Sequence, residues 1–313
     1  MSSNKNKFKQ FTRSVIERYS TLTQLNVYQI ELTKVESWIN NWDKEEHKFI
    51  AAMMLDKLVY RSSKMAKSSF NDFFTSTLRD YYSVCLGKEK IQIHLWLQEL
   101  QRVKSDHTAN LIIAPVRLYT DSGSSGDVIC RMCNVSSSLT KHLTPTGFEN
   151  KSGSSTKMPT GKVILLVDDI LGNGEQIQTY SKEKHLENWS KDNHIIYAPL
   201  IALKKGLTEA RDKLPFIRIS PIETLDDDQC FFSFKEGASF LSHYDIKESE
   251  AITWYKEMLS IHDFNLNKSI FGRNNEALTL AFEWGCPNHS LGALWWASPT
   301  ESKEWTRLFK KRD

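Results

Sequence analysis

Apolar residues recur at helical spacing through the first third of the chain. Trp38, Ile39, Trp42, Phe49 and Met53 mark one face, Phe70, Phe74, Leu78 and Tyr81 another, and Trp96, Leu100 and Val103 a third. Residues 1–104 hold a single glycine, Gly87, and no proline, so nothing breaks helices there. A helical N-terminal region over 1–104 is therefore expected. At Asn110 the pattern changes: LIIAPVRLY is a short apolar run bounded by turn residues, and VILLV at Val163, HIIYAPLIAL at His194 and FIRIS at Phe216 follow. Such runs suit strands buried on both faces, and their alternation with helical or loop stretches predicts a parallel sheet covered by helices. The stretch from Thr144 to Thr160, rich in Ser, Thr, Gly and Pro, reads as a mobile loop. ALTLAFEW and SLGALWWA, joined by Gly285-Cys286-Pro287-Asn288, read as a C-terminal β-hairpin within 275–313. The expected fold is α/β, with residues 105–313 as the sheet domain.

Composition narrows the partners more than the fold. A chain of 313 residues, 40% hydrophobic and 25% charged, can bury a core and is not wholly disordered. The net charge of +3 is the difference between 41 basic and 38 acidic residues, so it gives no global case for nucleic acid or membrane. Any basic patch must be local. The start MSSNKNKFKQFTRS has no apolar core behind its charges, and no run is long enough to span a bilayer. Five cysteines then suggest reduced thiols, and a cytoplasmic location is expected.

The chemistry concentrates in VILLVDDILGNGEQ, Val163 to Gln176. Asp168 and Asp169 follow a central-strand pattern, at the strand end where open α/β sheets bind ligands. Adjacent carboxylates repel and lose hydration, at a cost on the order of a kcal/mol or more unless a diol, a cation or backbone amides offset it. A ribose diol suits the pair, each carboxylate accepting one charge-assisted hydrogen bond. Gly172, Asn173 and Gly174 then permit a tight turn with close backbone approach, and Glu175-Gln176 can open a helix whose amides point at an anion. A 5-phosphate fits. Receiver domains also place paired acids after an apolar strand, but on their first strand and with a further aspartate at a later strand end, and neither HIIYAPLIAL nor FIRIS ends in Asp.

The spacing D-D-x-x-x-x-G resembles the type I phosphoribosyltransferase signature. The resemblance implies that Asp168 and Asp169 take the ribose hydroxyls while Gly172, Asn173, Gly174, Glu175 and Gln176 wrap the 5-phosphate. Typical members carry Thr or Ser beside the loop glycine, where this chain has Asn173 and Gln176. Upstream, Ser122, Gly123, Ser124, Ser125 and Gly126 resemble the pyrophosphate loop of the same enzymes, with Arg131 available to the anion; a plain surface turn suits these residues equally. More widely, VESWINNWDKEEHKFIAAMMLDKLVY, VDDILGNGEQ, YAPLIALKKGL and NEALTLAFEWGCPNHSLGALWW resemble the PRTase-CE family of bacterial conflict and antiviral systems, some members of which lie beside retron reverse transcriptases. In that family Gly-x-Gly and Gln replace the usual loop threonines. The resemblance implies a phosphoribosyl pyrophosphate or nucleotide ligand, Mg²⁺ as cofactor, and either transfer or cleavage at the C1–N glycosidic position. An inactive nucleotide-sensing or partner-binding module is the alternative. A partner from a defence operon is implied, protein or nucleoprotein: a reverse transcriptase with its msDNA if the chain is retron-associated.

Two other features carry less. Cys130 with Cys133 and Cys286 with His289 have zinc-like spacing, but more than 150 residues separate the pairs. Buried thiols and a loop histidine account for them better. The basic start around Phe8 and Phe11 reads as a solvated terminus, and Trp305, Leu308 and Phe309 as a tail that docks on the fold.

Overall fold

The computed structural model describes residues 2–87, 89–102, 110–117, 125–132, 160–226, 229–232, 244, 246–298 and 305–312. The chain opens with helices α1 (Ser2–Gln24), α2 (Leu32–Asn40) and α3 (Glu45–Asp56), then β1 (Val59–Arg61), α4 (Ser63–Phe73), α5 (Arg79–Cys85) and α6 (Ile93–Arg102). Strands and helices then alternate: β2 (Leu111–Pro115), α7 (Ser125–Met132), β3 (Val163–Leu171), α8 (Glu175–Glu183), α9 (Leu186–Trp189), β4 (His194–Leu203), α10 (Lys204–Lys213), β5 (Arg218–Ile219) and β6 (Glu223–Leu225). Helix α11 (Glu248–Ile261) and β7 (Leu280–Phe282) follow. Contacts gather these into two compact units, Met1–Ser63 with Asp227–Arg312, and Lys64–Asp226, whereas the texture of the sequence changes near residue 104. The 144–159 part of the expected mobile loop lies outside the described residues.

In the unit Lys64–Asp226 the sheet is parallel throughout, in the order β2-β3-β4-β5, with β6 continuing along β4 beyond β5. Every residue of β3 is buried, as is every residue of β4 but the first, which is why both strands are nearly unbroken apolar runs. Pro199, unusual in a central strand, sits opposite the lapse between β5 and β6. Its carbonyl accepts from Ile222 N–H at 3.0 Å, but its ring nitrogen has no proton to give the edge strand. One face of the sheet packs Ile177 and Tyr180 of α8 and Leu207 and Ala210 of α10 against Ile164, Leu166 and Tyr197. Between α4 and α5 the helix widens into a π-turn at Phe74–Leu78. The Thr75 hydroxyl donates to the Asn71 carbonyl at 2.9 Å and Ser76 to that of Asp72 at 2.5 Å, while the buried Trp96 indole donates to the Phe74 carbonyl at 2.7 Å. Side-chain competition for helical carbonyls and an outside donor for one of them together account for the bulge.

The other unit is a helical core sealed by C-terminal segments. Trp38, Trp42, Phe49, Tyr255 and Phe232 are fully buried in it. Trp38 Nε1 donates to the Ala293 carbonyl at 2.9 Å, and the Asn41 side chain both donates to the Thr306 carbonyl, at 2.8 Å, and accepts from its N–H, at 3.0 Å. Trp305, Leu308 and Phe309 are buried beside them, so the tail does dock. Among the described residues the expected hairpin gives way to a different arrangement. Only Leu280–Phe282 forms a strand, and it pairs in parallel with β1. Gly292–Leu294 is a 3₁₀ turn, whose Trp295 and Trp296 amides return to the Gly292 carbonyl at 3.1 and 2.9 Å. A Cβ on Gly292 would stand 2.7 Å from the Trp296 indole, so the turn is tight enough to lay that ring on its own backbone. Local bonds take the amides of Leu294, Trp295 and Trp296, while those of Leu291 and Gly292 go to the Leu278 and Ile270 carbonyls.

Candidate functional site

Strand β3 does not stop at VILLV. It runs on through Asp168 and Asp169 to Leu171, so both carboxylates are held in strand geometry and fully buried near its carboxyl end. Asp168 Oδ1 accepts the Asp169 N–H at 2.9 Å, and the Tyr197 hydroxyl of β4 lies 3.4 Å from Asp168 Oδ2. On the other side, Val116 N–H donates to the Val167 carbonyl at 2.9 Å, bringing the chain beyond β2 to the level of the aspartates.

The loop after the strand makes a tight, glycine-dependent turn. Gly174 has φ +79°, a left-handed conformation that favours glycine, and it caps α8. Asn173 Oδ1 accepts the Glu175 N–H at 3.2 Å, and the first helical bond runs from Gln178 N–H to the Gly174 carbonyl at 3.1 Å. By position, the amides of Gln176 and Ile177 have no intrahelical acceptor. The loop is pressed onto the start of α10: a Cβ on Gly206 would lie 1.6 Å from the Gly172 carbonyl oxygen, and one on Gly174 would lie 3.4 Å from Ala210 Cβ and 3.3 Å from Gln178 Nε2. That Gln178 Nε2 is buried and has no hydrogen-bond acceptor among the described residues. Asp168, Asp169 and Gly172 through Gln176, grouped from the sequence, lie along one strand, loop and helix start. Sequence reasoning missed Gly206, Gln178 and Tyr197. Gly206 stands in the quoted stretch YAPLIALKKGL, where its position at a strand-to-helix junction was the available signal.

The upstream segment is described only in part. Ser122, Gly123 and Ser124 lie outside the described residues, while Ser125 opens α7. Gly126 is a packing glycine: its Cβ would meet Pro115 Cβ at 2.9 Å and the Val116 backbone at 3.0 Å, so α7 closes on the end of β2 there. Arg131 is exposed in the last turn of α7, about 9 Å along the axis from Ser125. Nearer the strand ends is Arg117, half-buried after β2, with Nη1 3.7 Å from Asp127 Oδ2 in the first turn of α7. Cys130 is buried in α7, and Cys133 is outside the described residues. Cys286 donates its thiol to the Leu280 carbonyl, burial pushing its pKa up to about 12, and His289 Nδ1 lies 2.5 Å from Glu276 Oε2.

The strand, the acidic pair and the positive-φ turn thus form one continuous element on a parallel sheet, and a comparison with protein families bears on the whole chain. The sequence profile of PRTase-CE matches residues 35–311. The chain belongs to the PRTase-CE family. The PRTase-CE match runs through both compact units, so α2 and the tail residues around Trp305 are as much part of the family's unit as β3 is. It makes the chain a phosphoribosyltransferase-like protein with an α/β fold of parallel sheet and flanking helices. A search of curated proteins returned no match. Among the described residues no helix is long and apolar enough to cross a membrane.

Proposed function

We propose that this PRTase-CE protein binds a 5-phosphoribosyl compound, phosphoribosyl pyrophosphate or a nucleotide, at the carboxyl end of β3 and acts at the C1–N glycosidic position. The observation that carries the reading is the unbroken run from the buried pair Asp168–Asp169 to the left-handed Gly174, closed onto Gly206. A ribose diol gives each carboxylate a donor. A 5-phosphate takes the amides that helix geometry leaves at Gln176 and Ile177, and Gln178 Nε2 adds a buried donor beside the turn.

In the transfer direction the acceptor nitrogen bonds to C1 as the bond from C1 to the pyrophosphate oxygen breaks, and pyrophosphate leaves with the electron pair. In cleavage, pyrophosphate or water attacks C1 and the base leaves. Either way positive charge develops at the sugar, and Asp168 and Asp169 stabilise it. Two hard carboxylates suit Mg²⁺ held mainly through the ligand's own phosphate oxygens, which would help the leaving group depart. Family resemblance supports a role in bacterial antiviral defence beside a protein or nucleoprotein partner.

The test is to incubate the purified chain with phosphoribosyl pyrophosphate or nucleotides and follow free base, ribose 5-phosphate and pyrophosphate by chromatography. Turnover abolished in Asp168→Asn/Asp169→Asn supports the enzyme. The amide-bearing loop, with Asn173 and Gln176 in place of hydroxyl residues, favours a second reading as a sensing module. Calorimetric binding without turnover, lost in the same double variant, supports that one, and a chain that binds neither compound overturns both.

A further inference from the structure

The unit Met1–Ser63 with Asp227–Arg312 holds a cavity of about 800 Å³, within the range of about 300–1,000 Å³ typical of small-molecule sites. Lys268, Arg273, Arg307 and Lys311 line it together with Trp295 and Trp296. Asp263 is the one carboxylate in the described lining, against four cations. Lys268, Arg307 and Lys311 are exposed, and among the described residues no carboxylate forms an ion pair with any of them. In a chain whose overall charge is only +3, this is a local excess of a kind that global composition does not reveal.

The aromatic wall has a fixed orientation. Trp296 lies on Gly292 and is tilted against the Phe264 ring at 5.6 Å, and Trp295 Nε1 donates to the Ser290 carbonyl at 3.3 Å. Both indoles stay half-buried, so each keeps ring surface exposed. The walls are also tied to one another. Arg273 N–H donates to the Asn288 carbonyl at 2.8 Å, Gly292 N–H to that of Ile270 at 3.0 Å, and Trp305 Nε1 to that of Trp296 at 3.1 Å. Beside Arg273 the backbone is left-handed at Asn274, Asn275 and Ala277, with φ 54°, 57° and 48°. Such backbone at an alanine persists only where its surroundings hold it, and here the Glu276–His289 pair at 2.5 Å pins the segment. The cavity is therefore preorganised, with two indoles set at 84° to one another beside the exposed cations Lys268, Arg307 and Lys311.

We infer that this cavity binds one nucleotide unit, its base stacked on the Trp295 indole with the Trp296 ring, at 84° to it, as the adjoining wall, and its phosphate held by Lys268, Arg307 and Lys311. An aromatic face accepts any base, and cations beside it take the phosphate; this is how sequence-tolerant nucleotide recognition works. A free nucleotide and a nucleotide within a single strand share this chemistry. The inference is independent of the reading of β3, since every described residue lining the cavity belongs to the other unit.

The experiment titrates the chain with AMP by calorimetry and with a short fluorescein-labelled oligo(dA) strand by anisotropy. Asp168→Asn/Asp169→Asn should keep the affinity of the cavity's ligand. Lys268→Ala/Arg307→Ala/Lys311→Ala, all at exposed positions, should weaken it roughly tenfold or more with an unchanged melting temperature, and should lower the salt slope for the strand by about one per cation removed. Trp295→Leu should weaken oligo(dA) roughly tenfold yet leave an abasic strand of the same length unaffected. AMP binding alone assigns a free nucleotide, strand binding alone a nucleic acid, and both together a site open to either. The inference is overturned if wild type binds neither probe, if the triple variant binds as wild type does, or if the aspartate variant alone loses binding.

Discussion

At the scale of single residues the candidate site depends on two glycines for different reasons. Gly174 is fixed by its φ of +79°, which costs a side-chain-bearing residue about 1–2 kcal/mol, whereas Gly206 is fixed by the Gly172 carbonyl 1.6 Å from where its Cβ would be. Gly206→Ala should therefore push the loop off α10, lowering stability by about 1–3 kcal/mol as an overpacked contact does. It should also weaken 5′-phosphorylated ligands more than the matching nucleosides, in paired titrations alongside thermal melts; equal losses for both ligands would remove the loop from phosphate binding. Gly174→Val should show the same phosphate-dependent difference, more strongly. Asp168→Asn/Asp169→Asn, by contrast, keeps an acceptor for the Asp169 N–H and removes clustered charge, so calorimetric affinity for phosphoribosyl compounds should fall at least about tenfold with little change in melting temperature. The acids and Gly174 were legible because strand, turn and helix start are contiguous in sequence. Gly206, Gln178 and Tyr197 were not, because each matters through an approach between elements that no local pattern encodes.

At the scale of elements, β3 and β4 were legible because burial on both faces leaves almost no polar position in them. β1 was hidden: three residues, Val59–Arg61, at the end of a helical run, meaningful only through β7. Their junction is knit by Val59 N–H to the Thr279 carbonyl at 2.7 Å and by the Thr279 hydroxyl to the Lys57 carbonyl at 2.9 Å, partners 222 residues apart in the second case. That same distance is why ALTLAFEW followed by SLGALWWA looks like a hairpin: sequence pattern weights the nearest partner, and here the partner is far away. Truncation after Thr279 would strip β7, Leu291, Leu294, Trp305 and Leu308 from the core, all of them buried. Each large side chain lost should cost about 2–5 kcal/mol, so the product should be insoluble or lack a cooperative melt in calorimetry. A soluble truncation with one sharp transition would show that the C-terminal segments are an appendage.

At the scale of the molecule, the family profile spans both compact units, and a sequence boundary near residue 104 has no counterpart in the contacts. The reason is that residues 1–63 bury their apolar faces against residues more than 160 positions later, as Trp38 does with Ala293 and Asn41 with Thr306. Just below neutrality, the stability of that unit should depend on pH through His47. The His47 side chain is fully buried, and neither ring nitrogen has a hydrogen-bond partner among the described residues. Glu257 Oε2 lies 3.6 Å from Nε2, too far for a hydrogen bond, so desolvation outweighs the attraction of Glu257 and Glu46, and with Lys44 nearby the imidazole pKa is lowered. The unfolded chain takes up a proton near pH 6.5 while the folded chain does not until lower pH, so between those values the unfolded state binds more protons and stability rises with pH. The melting temperature should thus be flat above about pH 7 and fall as pH drops through about 6.5 and below. The Glu257 carboxylate, held down chiefly by Lys44, whose Nζ lies 3.1 Å away, loses its contribution only at more acidic pH, which separates the two steps. His47→Gln, uncharged at every pH, should flatten the upper step and leave the lower one, as read from melts across the pH series. An upper step of the same size in the variant would mean that the acid sensitivity originates elsewhere.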